Sequence, residues 1–317
     1  MNEAGGALTK YDRLIAAAKR VPAVPTLVVH PGDEGSLRGA LDAAEAGIIK
    51  PILVGPAAKI RDTAAKFGLN IAGYDVVDAP HSEAAAAKAV EMIHEGKGEA
   101  LMKGSLHTDE LMRSVTAKVG GLRTERRISH VFIMDVPAYA DTLFITDAAI
   151  NIAPDLDGKR DIIQNVVDLY NLAGFGTTPR VAILSAVETV TTKIPSTIEA
   201  AALCKMADRG QITGAVLDGP LAFDNAIDVE AARIKGIKSE VAGHAQILVV
   251  PDLESGNMLA KNLAYFAHAD SAGIVLGARV PIVLTSRADS PRARMASAAV
   301  AVLYANARRR KAPIAAG

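Results

Sequence analysis

Ala100-Leu101-Met102-Lys103-Gly104-Ser105-Leu106-His107-Thr108 carries the decision about fold. An apolar run of strand length ends on a lysine. A glycine and a serine follow, and the residues from Thr108 to Val119 then continue in a helical pattern. Strand, glycine turn, hydroxyl and helix in that order make up half of a parallel βαβ unit. The same order recurs on both sides of this stretch. Runs at Thr26 to His30, Pro51 to Val54, Tyr74 to Val77, Ala100 to Lys103, Val131 to Met134 and Thr142 to Ile145 read as strands of a first sheet. A second series follows at Val181 to Ser185, Ala215 to Leu217, Ile247 to Val250, Ile274 to Leu276 and Ile282 to Thr285. Helical patterns over Leu37 to Ala46, Ser82 to His94, Thr108 to Val119, Arg160 to Ala173, Thr197 to Asp208, Gly256 to His268 and Pro291 to Arg308 fill many of the gaps. The expected class is α/β, with mainly parallel sheets and flanking helices.

The composition fits that class. Half of the 317 residues are hydrophobic, yet only 4% are aromatic and none is Trp, so the core has to be built from Ala, Val, Ile and Leu. Such a length predicts two domains. Lys plus Arg equals Asp plus Glu at 35 each, which removes any general electrostatic case for nucleic acid or an anionic membrane. Any anion site must be local. The single cysteine, Cys204, lies in an Ala-rich helical stretch and reads as a buried thiol in a reducing compartment. The first residues lack a basic start followed by an apolar run, and no segment is apolar for long enough to span a bilayer. The expectation is a soluble, cytoplasmic protein.

In an open parallel sheet, ligands bind beyond the carboxyl ends of the strands, so the polar residues after each apolar run are the candidate site. Five segments qualify: Lys103 to Thr108, Ser185 to Thr189, Asp218 to Leu221, Pro251 to Asn257 and Thr285 to Ser290. In the first, Thr108 reads as an N-cap and Arg113 lies in the second turn, where free backbone N–H groups favour an anion. Asp109, four residues before Arg113, offers the competing explanation of an ordinary helical ion pair. In the last, Ser286 and Arg287 precede Ser290-Pro291, a helix-start pair. A guanidinium suits phosphate because its planar fork donates two parallel hydrogen bonds and stays charged. Asp289 reads as a helix cap or as a general base. The chain has no Walker loop, no His-Glu-x-x-His, no Gly-x-Ser-x-Gly elbow and no zinc-like spacing. The Arg308-Arg309-Arg310-Lys311 cluster closes a helix, where cations complement the dipole.

Together these segments resemble the phosphate acetyltransferase and phosphate butyryltransferase family, and the resemblance spans nearly the whole chain. Lys103 to Thr108 with Arg113 is similar to the family's glycine, histidine, hydroxyl and downstream arginine arrangement. Pro251-Asp252-Leu253-Glu254-Ser255-Gly256-Asn257 resembles its most recognisable string, Thr285-Ser286-Arg287 its serine-arginine pair, and Asp218 to Ala226 its butyryl branch. The resemblance implies two α/β domains of the isocitrate/isopropylmalate dehydrogenase-like fold, with the active site in the cleft between them. Domain I would comprise residues 1–139 plus 273–317, completed by the C-terminal helix, and domain II residues 140–272. It also implies transfer of a short acyl group between coenzyme A and phosphate, coenzyme A being a substrate. No tightly bound cofactor or metal is expected, and the chain would form a homodimer. The implied catalytic residues are Ser286, Arg287 and Asp289. Arg113, Ser105, His107 and Thr108 would bind acyl phosphate, and Asp252, Ser255, Gly256, Asn257 and Asp218 would line the coenzyme A side. In one departure, Ala293 stands seven residues after Ser286, where acetyl-specific members carry aspartate. That leaves Asp289 as the base, or no carboxylate base. Acyl preference is open on these residues. The competing reading is a non-catalytic domain of the same family that senses acyl-CoA.

Overall fold

A computed structural model of the chain describes residues 9–284 and 289–311. The residues fall into two compact units, Met1–Leu122 with Val280–Gly317, and Arg123–Arg279.

In chain order, the first unit runs α1 (Lys10–Ala18), β1 (Val24–Val29), α2 (Glu34–Glu45), β2 (Ile49–Gly55), α3 (Ala57–Lys66), β3 (Asp75–Asp78), α4 (Ser82–His94), β4 (Ala100–Lys103) and α5 (Thr108–Val115). The second contains β5 (Ser129–Asp135), β6 (Leu143–Thr146), α6 (Leu156–Leu172), β7 (Arg180–Leu184), α7 (Pro195–Asp208), β8 (Val216–Leu221), α8 (Phe223–Ile227), α9 (Val229–Ile234), β9 (Ile247–Val249), α10 (Leu253–Phe266) and β10 (Asp270–Leu276). The chain then returns to the first unit with β11 (Ile282–Val283) and α11 (Pro291–Lys311). Each expected strand is present, β4 with the expected ends and the others with shifted ones. The helical pattern beginning at Thr108 stops at Val115, four residues before the expected Val119.

In the first unit the strand order is β3-β2-β1-β4-β11, and its pairings are parallel. Every residue of β4 is buried, as expected where helices cover both faces of a parallel strand. Helix α11 supplies the packing that aromatic residues supply elsewhere, with Ala296, Ala298, Ala299, Val300, Ala301 and Val302 all buried. Small side chains let the helix approach closely. At its start Arg292 bonds to Asp12, which also closes a reciprocal capping box with Thr9 at the head of α1.

In the second unit the order is β10-β5-β6-β9-β7-β8. Strand β5 runs antiparallel to both β10 and β6, and the remaining pairs are parallel. The expected grouping sets β5 and β6 beside the first four strands, whereas β5 and β6 pair within the second unit and β11 pairs with β4 in the first. The compact units also divide at 122/123 and 279/280, where the expected domains divide at 139/140 and 272/273. The physical reason is the ladder from Ser129↔Leu276 to Asp135↔Asp270, which makes β5 and β10 hydrogen-bond partners along their whole lengths. A boundary at 272/273 would cut β10 in two. The core of this unit joins Met134, Leu143, Ile145, Ala182, Leu184, Leu221, Leu248 and Val250. Phe144 packs edge-on against Tyr170 and Phe175 beneath it.

Candidate functional site

At the carboxyl edge of the first unit, β1 and β4 come so close that Gly104 has no alternative. A Cβ there would sit 2.4 Å from the Val29 carbonyl oxygen and 2.5 Å from that of His30. The Gly104 amide donates to Val29 O and the Ser105 amide to His30 O. These two N–H groups are therefore satisfied by the sheet. The Ser105 hydroxyl is also engaged: it donates to His30 O at 2.9 Å, lies 3.2 Å from His30 Nδ1, and accepts from the Gly32 amide at 3.0 Å. Ser105 thus locks the turn after β1, where His30 holds a left-handed backbone with φ of 54°. Burial, assisted by the charge of Lys59, lowers the His30 pKa against the opposing pull of Glu110.

The sequence names Thr108 as the N-cap of α5, but the cap residue is His107, and its side chain makes no capping bond. His107 is exposed and Thr108 half-buried in the first turn. Arg113 extends into solvent and pairs with Glu83 of α4 at 3.0 Å, not with Asp109. Ser286 and Arg287 lie outside the described residues. The cap weighed for Asp289 is filled by Ser290, whose hydroxyl accepts from the Ala293 amide at 3.1 Å.

In the second unit, the string after β9 proves to be a helix start. Asp252 is the N-cap of α10 and accepts from both the amide and the hydroxyl of Ser255 at 2.8 Å. Gly256 is buried where a Cβ would meet Val250 Cγ2 at 2.7 Å and Ala148 Cβ at 2.9 Å, and Asn257 donates to Ala148 O at 3.3 Å. The helix consequently begins at Leu253, earlier than the expected Gly256. Asp218, in β8, accepts from the Gly219 amide and stands beside Cys204. Burial, with Asp218 and Asp208 adding repulsion, pushes the Cys204 thiol up to about 12, so it stays protonated.

Ala148, on which Gly256 and Asn257 rest, belongs to a turn absent from the candidates read in the sequence. Buried Asp147 accepts from the amides of Ala149, Ile150 and Asn151 and from the Asn151 side chain at 2.6 Å. Asn151 in turn accepts from Arg127 Nε at 2.7 Å. Four donors satisfy this carboxylate without a direct cation partner. The same strand-end rule, applied to the run ending at Ile145, would have found Asp147 and Asn151. Across the β5–β6 pairing, fully buried His130 has no hydrogen-bond partner on Nδ1 among the described residues. Burial pushes its pKa down to about 4 although the Asp147 charge opposes this. Among the described residues, no group of three or more His, Cys, Asp or Glu side chains could hold a metal ion, and no helix is long and apolar enough to cross a membrane.

A family described as "Phosphate acetyl/butaryl transferase" matches residues 81–302. The chain is 72% identical to the phosphate acetyltransferase of Rhizobium meliloti, over 97% of each chain. It is 41% identical to the phosphate butyryltransferase of Clostridium acetobutylicum, over 94% of this chain and 99% of that one. Among solved structures, a branched-chain phosphotransacylase from Enterococcus faecalis V583 superposes with a TM-score of 0.75 at 28% identity, covering 88% of this chain and 98% of that chain.

Proposed function

Because the chain belongs to the phosphate acetyl/butyryl transferase family, and is therefore an acyltransferase, we propose that it transfers an acetyl group reversibly between coenzyme A and inorganic phosphate. The observation that carries the choice of acyl group is the 72% identity to a phosphate acetyltransferase, against 41% to a phosphate butyryltransferase. The finer fold assignment, isocitrate/isopropylmalate dehydrogenase-like, belongs to the same proposal. So do a cytoplasmic location, a homodimeric working form, and coenzyme A as a substrate without a tightly bound cofactor.

Thiolate is the attacking species, and a thiol with a pKa of about 8.5 is only a few per cent ionised near neutrality. In the proposed reaction the sulfur of coenzyme A adds to the acyl carbon of acetyl phosphate. The resulting oxyanion collapses, the carbon–oxygen bond to phosphate breaks, and the thioester remains. Asp289 takes the thiol proton. Arg287 and Arg113 hold the departing phosphate, and Ser286 donates to the oxygen on which charge develops. For Arg113 the support is its solvent-facing guanidinium, whose one partner among the described residues is the exposed Glu83. His107 and Thr108 at the start of the same helix complete the phosphate side. Given its engaged hydroxyl, Ser105 serves this site by holding the β1 turn. Asp252, Ser255, Gly256, Asn257 and Asp218 are assigned to coenzyme A, with the α10 start as the element they build.

The test is phosphate-dependent release of free thiol from acetyl-CoA and from butyryl-CoA under one set of conditions. The expected result is release from both, with the kcat/KM for acetyl-CoA at least about tenfold the higher, since pocket shape discriminates one or two methylenes by roughly 10- to 200-fold. A higher efficiency with butyryl-CoA would reverse the acyl assignment. Binding of either thioester without turnover would replace the enzyme by an acyl-CoA sensor.

A further inference from the structure

The proposed reaction leaves one half-engaged side chain at the carboxyl edge of the first unit, that of His30. Only 8% of this residue is exposed. The Ser105 hydroxyl has a single proton, which goes to the His30 carbonyl oxygen at 2.9 Å. In the 3.2 Å contact between the same hydroxyl and the ring, Nδ1 is therefore the donor. A neutral imidazole with its proton on Nδ1 keeps a bare lone pair on Nε2. Nε2 makes no hydrogen bond among the described residues and is not sealed from water. On the other side the ring rests against the end of β2, where a Cβ on Gly55 would stand 3.7 Å from His30 Cδ2.

Burial is the largest influence on the ring and keeps it neutral by lowering its pKa. Lys59 of α3 acts in the same direction, while Glu110 of α5 and Asp33, the N-cap of α2, pull the other way. Lys59 lies across the turn, its Nζ 3.1 Å from where a Cβ on Gly32 would stand. The backbone does not require a histidine. A φ of 54° is a left-handed conformation that Gly or Asn holds at least as readily. Asn would also keep the bond to Ser105, because its amide nitrogen can stand where Nδ1 does. Only Nε2 has no structural purpose in the turn.

An acceptor is what a phosphate site built from arginines and hydroxyl donors lacks. Guanidinium and ammonium groups donate to the ionised oxygens of phosphate. Near neutrality inorganic phosphate also carries a P–OH group, which has to donate. A carboxylate in that place would repel the anion, and a neutral imidazole does not. We propose that His30 Nε2 accepts the hydrogen bond of the P–OH group of inorganic phosphate and so selects phosphate over tetrahedral anions without a hydroxyl, such as sulfate. This rests on the acyl-transfer reading above and names a specificity residue on its phosphate side. The surroundings fit. Ser105, the partner of the ring, belongs to the same turn as His107 and Thr108, and Glu110, whose charge reaches the ring, lies between Thr108 and Arg113 on α5. Acetyl phosphate has no P–OH near neutrality, so it draws nothing from Nε2.

The experiment is steady-state kinetics of the full chain in both directions near neutral pH, with sulfate as competitive inhibitor against phosphate, for wild type, His30→Asn and His30→Gln. In wild type the inhibition constant of sulfate should exceed the KM for phosphate by at least about tenfold, the usual weight of one hydrogen bond to a charged group. His30→Asn should raise the KM for phosphate by about tenfold and leave the sulfate constant and the KM for acetyl phosphate within about twofold of wild type. His30→Gln, whose amide oxygen reaches the place of Nε2, should restore most of the preference. A His30→Asn variant with an unchanged KM for phosphate would overturn the proposal. So would an equal rise in all three constants, which is the mark of a merely structural residue. A wild type that sulfate inhibits as tightly as phosphate binds would overturn it without any variant having to fold. A wild type that releases no thiol in the presence of phosphate would instead remove the acyl-transfer reading, and this proposal with it.

Discussion

At the residue scale, the structure separates groups that hold the site from groups assigned to the substrate. Ser105 and Arg113 share one segment, yet they should respond in opposite ways. Ser105→Ala removes the hydroxyl that donates to His30 O and accepts from the Gly32 amide, which keeps the His30 carbonyl as its acceptor, so the loss is that of ordinary hydrogen bonds, about 0.5–1.5 kcal/mol of stability, read as a lowered urea midpoint. The KM for acetyl phosphate should follow only indirectly. Arg113→Gln breaks a single exposed ion pair, so the midpoint should hold while the KM for acetyl phosphate rises. A lowered midpoint with unchanged KM would make Arg113 a structural residue. Arg287→Ala is expected to lower turnover by about a hundredfold to a thousandfold, the usual effect of losing one preorganised donor. Wild-type turnover and KM in that variant would remove Arg287 from the mechanism. His130 gives a pH signature. Its ring protonates at about 4 in the folded chain and near 6.5 when unfolded, so the unfolded state binds the extra proton between those values. Stability is complete above pH 6.5 and is lost as pH falls toward 4, by about 2 kcal/mol between pH 7.5 and 5. Urea midpoints at the two pH values should differ by less in His130→Asn than in wild type; an equal difference would place the acid sensitivity elsewhere. The sequence displayed all of these residues without their partners. Asp109 was the near neighbour available to Arg113 in the sequence, whereas Glu83 lies 30 residues away and meets it only because α4 packs beside α5.

At the element scale, the start of α10 shows how a recognisable string can be explained by packing. Asp252 caps by accepting from the Ser255 amide, the Ser255 hydroxyl donates to Asp252 as well, and Gly256 lets the helix lie against Ala148 and Val250. Gly256→Ala forces a methyl into contacts of 2.7 and 2.9 Å, and overpacking of this kind costs about 1–3 kcal/mol. The expected outcome is a lowered melting temperature together with a raised KM for coenzyme A, because the helix start must shift as a unit. A raised KM without any loss of stability would mean that Gly256 meets the substrate directly. Legibility in the sequence followed the same line. Strand positions could be read because β-branched runs announce themselves locally. The place of the polar turn Asp147 to Asn151 is legible as the end of the run at Ile145, but what lands on it is not, namely α10 through Ala148 and Arg127 through Asn151.

At the scale of the whole molecule, the second unit is one continuous segment with its own core, whereas the first is assembled from two stretches far apart in sequence. Residues 123–279 expressed alone should therefore unfold in one cooperative thermal transition, and residues 1–122 alone should not, since they lack β11 and the buried face of α11. Differential scanning calorimetry of the two fragments checks this, and a cooperative transition in 1–122 would show α11 to be dispensable. By itself the sequence determined the α/β class, the positions of the strands, the family and the segments at the strand ends. All of these depend on patterns spread over a few neighbouring residues, or on strings that survive unaligned. Only the tertiary structure decided which strands pair, and so where the units divide, because a ladder such as β5 with β10 joins residues more than 130 positions apart. It also decided which hydroxyls and amides are already engaged. Hydrogen bonds and burial are properties of what folds against a residue, and a chain read in one dimension carries the donors and acceptors without saying which of them meet.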